Sequence, residues 1–224
     1  MSPLLIMLFA AIGPMLAVFD PFEDDAADEE DQADLAHRNQ IDPGAKTGTE
    51  EDDAFAALPE DASMFNGLSG ADQIIGGDQS DTLIGGLGAD TISGGAGNDN
   101  LFSGLNQTDD ADDEDPDQLD GGDGDDNLLL GAGDTGLGGA GADTFTILTD
   151  HLGTVTVGDY NSDEDALIVE TTGTQTSIAD QVVQDGTLQV TLSNGLRIDL
   201  PGVDNPINDN AIRFVMPNPL RGIS

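Results

Sequence analysis

The chain has 224 residues, 45 Asp plus Glu against 5 Lys plus Arg, a formal net charge of −40 and 30 glycines. That acidic excess excludes nucleic acid as a partner, because neutralising phosphate takes Lys and Arg. Cysteine is absent, which excludes disulfides, thiolate metal sites and cysteine nucleophiles. With aromatics at only 4%, such a chain stays expanded by self-repulsion unless bound cations neutralise it.

Residues 3–19 are apolar apart from Gly13 and two prolines, and Asp20 follows at once. Seventeen residues is marginal for crossing a bilayer, no base precedes Arg38, and Ala17-Val18-Phe19 is a poor cleavage site. A membrane-associated anchor, an atypical export signal and an accessory segment all remain open. Residues 20–63 are acid-rich, with Arg38 and Lys46 as the only bases and no sustained apolar period. They read as a disordered acidic linker, with a short helix possible over 28–37.

Residues 64–146 differ in kind. In nines, Gly67-Leu-Ser-Gly70-Ala-Asp72-Gln-Ile74-Ile75 is followed by units starting at Gly76, Gly85 and Gly94, then, after a gap, at Gly121 and Gly138. The pattern is G-G-x-G-x-D-x-U-x, with U apolar at Ile74, Leu83, Ile92, Leu101, Leu128 and Phe145. A degenerate, shortened unit covers 130–137, with Thr135 where Asp is expected. Generic turn formers explain turns. They do not explain Asp at one phase and an aliphatic residue at another over four successive units.

Physically, the six residues G-G-x-G-x-D form a turn with its carbonyls aimed inward, and the last three form a short strand. Two units make one coil of a flattened parallel roll, so unit n stacks on unit n+2, about 4.8 Å away. Asp72 then lies near Asp90, and Asp81 near Asp99. Carboxylates that close repel unless a cation sits between them, and Ca²⁺ with six to eight oxygen ligands suits the gap. The candidate ligands are Asp72, Gly77, Asp81, Gly86, Gly88, Asp90, Gly95, Gly97, Asp99, Gly122, Gly124, Asp126 and Asp143.

The nonapeptide resembles the RTX, or haemolysin-type, calcium-binding repeat, whose pattern is known for this chemistry. The resemblance implies a parallel β-roll holding several Ca²⁺ ions, followed by a capping segment. Val157–Val169 looks like that segment, with Asp159 and Asp165 as further ligand candidates and Phe145, Tyr160 and Leu167 as capping core. It also implies a bacterial secreted or surface protein exported by type I machinery, with an uncleaved signal near the C-terminus; the apolar N-terminus fits that scheme poorly.

Residues 103–120 break the motif with an acidic run, as either an irregular coil of the roll or an ejected loop; Asp117 and Leu119 keep the expected phases. Beyond 146 the glycine pairs stop, and β-like runs at 154–157, 166–169, 187–192, 196–200 and 211–215 form a C-terminal cap over 147–216. Asn194-Gly195 marks a hairpin, and 217–224 read as a loose tail.

No catalytic constellation is present. H-E-x-x-H and G-x-S-x-G are absent, and His37 and His151 stand far apart, His151 as a surface turn residue. The expected architecture is all-β: the parallel roll, its β cap, and the apolar segment and acidic linker before them. The expected function is calcium binding coupled to folding, without catalysis. The alternatives are a Ca²⁺-dependent adhesin or surface-layer component, whose cell-surface or polysaccharide partner the sequence does not name, and an accessory module of an extracellular hydrolase.

Overall fold

The computed structural model describes residues 47–58, 62–104, 113–149, 151–171, 176–208 and 210–216. The apolar segment 3–19, the linker up to residue 46, the candidate helix 28–37, most of the acidic run and the tail 217–224 lie outside them. The described residues form β-strands and no α-helix.

In the roll the strands are β1 (Ala54–Ala56), β2 (Met64–Ser69), β3 (Gln73–Gly77), β4 (Thr82–Leu87), β5 (Thr91–Ala96), β6 (Asn100–Phe102), β7 (Gln118–Asp123), β8 (Asn127–Leu130), β9 (Thr135–Ala140) and β10 (Thr144–Leu148). The cap adds β11 (Thr154–Val157), β12 (Ala166–Glu170), β13 (Ile178–Gln184), β14 (Thr187–Leu192), β15 (Arg197–Pro201) and β16 (Ile212–Val215). Strands β1 to β12 alternate between two sheets, and β13 to β15 stay in one of them; the orders are β1-β3-β5-β7-β9-β11-β15-β14-β13 and β16-β12-β10-β8-β6-β4-β2. All pairings are parallel except β13–β14 and β14–β15.

One 18-residue coil separates stacked partners, as in Met64↔Thr82 and Gln73↔Thr91. This is the expected n to n+2 stacking. The division within a unit is different. Strands run on through the glycine pair, pairing Gly77↔Gly95 and Gly95↔Gly122, so the sharp turn is about half as long as the expected six residues. Glycines stack without side-chain conflict, so the ladder continues until the fourth residue turns the chain.

The apolar U residues point between the sheets and carry the core. Ile74, Ile92 and Leu119 line one sheet, and Leu83, Leu101, Leu128, Phe145 and Leu167 the other, each at most 2% exposed. At about 25 cal/mol per Å² of apolar area, these columns are the main metal-independent stabilisation of the roll. The shortened unit places Gly136 in the column opposite Leu119, and the Leu130 side chain occupies the space a Gly136 side chain would need.

The roll begins earlier than 64. Phe55 of β1 pairs with Ile74, and Phe55 and Phe65 stack with ring centroids 4.2 Å apart and planes 10° apart. The described residues from 47 on, read from sequence as linker, therefore form degenerate coils. Their acids and missing glycine pairs hid a period kept only by Asp53, Phe55, Ser63 and Phe65.

Residues 103–120 divide between the two expectations. Thr91↔Gln118 and Asn100↔Asn127 are 27 residues apart where 18 is the rule, so the surplus is nine residues, half a coil. The end of the stretch, from Asp117 into β7, is a regular part of the roll.

In the cap, the expected runs become β11, β12, β14, β15 and β16. Asn194-Gly195 turns the β14–β15 hairpin, with Gly195 at φ 101°. β13 was not anticipated. Its hairpin turns on Asp185 (φ 53°) and Gly186 (φ 78°), an Asp-Gly pair with the same left-handed geometry. Phe145, Tyr160 and Leu167 are all buried in the core, as expected of capping residues.

Candidate metal centre

Turns joining the sheets stack along the two long edges of the roll. One edge carries Asp53, Asp72, Asp90, Asp117 and Asp134, the other Ser63, Asp81, Asp99, Asp126, Asp143 and Asp165. On the first, the backbone N–H of Asp53 donates to Asp72 Oδ1 (2.7 Å), Asp72 to Asp90 (2.8 Å), Asp90 to Asp117 (2.7 Å) and Asp117 to Asp134 (2.9 Å). On the second, Ser63 donates to Asp81, Asp81 to Asp99 (2.8 Å), Asp99 to Asp126 (2.7 Å), Asp126 to Asp143 (2.9 Å) and Asp143 to Asp165 (3.0 Å). The expected pairs Asp72/Asp90 and Asp81/Asp99 are therefore linked through the backbone of one and the carboxylate of the other.

Each carboxylate spends one oxygen on this ladder. The other, Oδ2, is buried with no hydrogen-bond partner in Asp72, Asp81, Asp90, Asp99, Asp117 and Asp126. Six buried, unpaired carboxylate oxygens in register are costly as they stand. A cation beside each removes the cost.

The first glycine of each turn makes room there. A Cβ on Gly67 would collide with Asp72 Oδ2 and the Gly85 carbonyl oxygen; on Gly94, with Asp99 Oδ2 and the Gly121 carbonyl oxygen; and on Gly121, with Asp126 Oδ2 and the Gly138 carbonyl oxygen. A carboxylate oxygen and a carbonyl oxygen from the next coil thus converge beside each such glycine. No group of three or more acidic or imidazole side chains converges among the described residues. The donor set is carboxylates supplemented by backbone carbonyls, the all-oxygen chemistry that suits Ca²⁺.

Burial raises these acids above the ordinary carboxylate range. Asp72, Asp126 and Asp143 are pushed up to about 6, Asp90 to about 7, and Asp117 to about 9, where the Asp134 carboxylate adds to the effect of burial. Asp81 and Asp99 are raised by burial as well.

The other glycine candidates shape the turns. Gly86, Gly95 and Gly122 at the second position, and Gly88, Gly97 and Gly124 at the fourth, have positive φ; Gly77 does not, although its carbonyl oxygen faces Gly95 across the ladder. Leu68 holds the second position of its turn at φ 81°, a conformation costing about 1–2 kcal/mol for an L side chain. Leu68→Gly is expected to stabilise the roll by about 1 kcal/mol, read as a rise in denaturation midpoint.

Asp159 and Asp165 are placed differently from the repeat aspartates. Asp159 accepts the N–H groups of Gly138 and Gly139, each at 2.9 Å. Asp165 accepts Asp143 N–H through Oδ1 and Asn161 N–H through Oδ2 (2.8 Å). Both oxygens of each are engaged by backbone, which ends the ladder at the cap.

Three features escaped the sequence reading. Asp134 fills the ladder position sought at Thr135; the unit is one residue short, and its Oδ2 accepts Gly131 N–H (2.7 Å). A second ladder runs through the fifth turn position: Asn98 N–H donates to Ser80 Oγ (3.1 Å), Asp125 N–H to Asn98 Oδ1 (3.2 Å) and Ala142 N–H to Asp125 Oδ1 (2.9 Å). Asn and Asp at a nominally free position were its signal. His151 Nε2 lies 3.2 Å from Glu114 Oε1, joining the cap to the turn after the surplus residues.

Residues 66–105 and 112–137 match the family described as the RTX calcium-binding nonapeptide repeat, in four copies. These segments are RTX repeats. RTX repeats bind several Ca²⁺ ions, and the buried aspartate ladders are consistent with that chemistry. The gap in the match, 106–111, lies between β6 and β7, the stretch in which the strand register counts nine surplus residues. No curated protein matches the chain.

Proposed function

We propose that this RTX protein is bacterial, is exported by type I machinery, and folds on Ca²⁺ outside the cell. The observation that carries the reading is the set of six buried, unpaired Oδ2 atoms. Without a cation the ladders repel and the roll opens; with Ca²⁺ the turns close and the apolar columns stack. Extracellular calcium modules bind at roughly 10⁻⁴ to 10⁻³ M. Cytosolic calcium leaves such a chain open for export, and external calcium folds it.

The ligands in this reading are Asp72, Asp81, Asp90, Asp99, Asp126 and Asp143 with the turn carbonyls of their stacked neighbours. Asp159 and Asp165 close the ladder. The protein acts through its folded surface, not by catalysis, and residues 3–19 supply membrane association or an export signal.

The test is far-UV circular dichroism of the full chain titrated with Ca²⁺ and, separately, Mg²⁺. A cooperative gain of β signal with Ca²⁺ alone is expected. No change, or an equal response to Mg²⁺, overturns the reading.

A further inference from the structure

Each sheet has two edge strands, and three of the four are guarded against pairing with another chain. β1 is three residues long and directly follows Glu50-Glu51-Asp52-Asp53. β2 is interrupted at Leu68, whose φ is 81°. β16 has four residues, and Pro217 follows soon after. Short length, distortion, charge and proline all discourage an added strand.

β13 is guarded only at its start, by a bulge between Ile178 and Asp180. At seven residues it is the longest strand among the described residues, and it ends the nine-stranded sheet. Asp180–Gln184 pair regularly with β14 and contain no proline, glycine or lysine and a single acid. Val182 and Val183, on opposite faces of the strand, are 46% and 39% exposed. The Gln181 side chain pins the strand, because its Nε2 donates to the Ile207 carbonyl (3.1 Å) and its Oε1 accepts Ile207 N–H (3.0 Å). The open edge is therefore held ready to pair.

We propose that β13 pairs antiparallel with β13 of a second copy of this chain, joining the two nine-stranded sheets across a two-fold axis at Val182. Charge selects both the occupant and the register. Two chains of net charge −40 repel each other and approach where acids are fewest. With the axis at Val182, that residue faces its own copy, Val183 faces Gln181, and Asp180 faces Gln184, whose amide donates to the carboxylate. No acid stands opposite an acid, the arrangement that destabilises a strand pair. The new pair also continues the antiparallel order of β13, β14 and β15. Both copies use the same edge, so the assembly closes at a dimer. Two five-residue stretches bury less than the roughly 1,200 Å² of a stable interface, so the dimer is weak, and salt that screens the repulsion strengthens it.

The test is sedimentation velocity of the full chain in Ca²⁺ from low micromolar to near-millimolar concentration. A monomer–dimer equilibrium that tightens with salt is expected. Val182→Lys sets two ammonium groups opposite each other and raises the dissociation constant about tenfold or more, although it lowers the net charge. The chain has no cysteine, so Val182→Cys supplies one thiol per copy. Opposed Cα atoms about 4.5–5.5 Å apart lie within disulfide reach, and mild oxidation should yield a covalent dimer. Leu152→Cys, at a site 69% exposed, is the control for chance collision and stays monomeric. A wild type that is monomeric at every concentration leaves this edge to a strand of another protein and overturns pairing between copies. A Val182→Lys dimer as tight as wild type, or equal cross-linking of the two cysteine variants, overturns it as well.

Discussion

Asp99→Asn is expected to move the metal-free and calcium-loaded states in opposite directions. Asn keeps the Oδ1 that accepts Asp81 N–H at 2.8 Å, so the ladder survives. It removes a charge whose Oδ2 is buried and unpaired, and which the neighbouring Asp81 carboxylate also disfavours. In EDTA, where that charge only costs, the folded state gains about 1–2 kcal/mol. With Ca²⁺ present, the same change deletes an anionic ligand, and affinity falls by about tenfold or more. Chemical denaturation of wild type and variant, in EDTA and in millimolar Ca²⁺, reads both effects. Destabilisation in both conditions would mean Asp99 serves the ladder alone and holds no cation.

Why Asn and Asp part company at Asp99 also explains what was legible in the sequence. A strict nine-residue phase with Asp and an aliphatic residue at fixed positions is enough to place Ile74 over Ile92 and Asp72 beside Asp90, because each coil repeats the last. Where the period is strict, topology follows from arithmetic. Where the period is met by other residues, it is hidden. Asp53 and Phe55 hold the ladder and core positions of a coil without a glycine pair, so they read as linker. At Asp134, one missing residue moved the aspartate off its expected number although its carboxylate kept its place. The division of labour inside each carboxylate was also invisible: one oxygen on the backbone ladder and one left buried and unpaired is a property of stacked coils, not of a single unit. Asp159 and Asp165 match their neighbours in residue type, and only their paired backbone donors set them apart.

Acidification is expected to do part of calcium's work. In the metal-free roll Asp72, Asp126 and Asp143 titrate near 6, Asp90 near 7 and Asp117 near 9, against 3.8 for an ordinary Asp. Because the folded values lie above the unfolded one, folding favours the protonated form. Below pH 3.8 both states are protonated and these groups contribute no difference. As pH rises from there through 6 and 7 the unfolded chain ionises first, and stability is lost at up to about 1.4 kcal/mol per unit of separation for each group. The metal-free chain should therefore gain β signal on going from pH 8 to pH 5 in EDTA, and lose it reversibly on return. Calcium reverses the preference, since the ligand form is the carboxylate. At pH 8 the open metal-free chain already has its aspartates ionised and Ca²⁺ binding releases few protons; at about pH 5 to 6, where protonation closes the roll, Ca²⁺ must displace protons from the buried aspartates, and affinity must weaken from pH 8 to pH 6. Calorimetry in two buffers of different ionisation enthalpy measures that release directly. Zero release at about pH 5 to 6, with calcium bound, would mean the buried aspartates are already ionised in the metal-free chain at that pH and that acid does not close the roll.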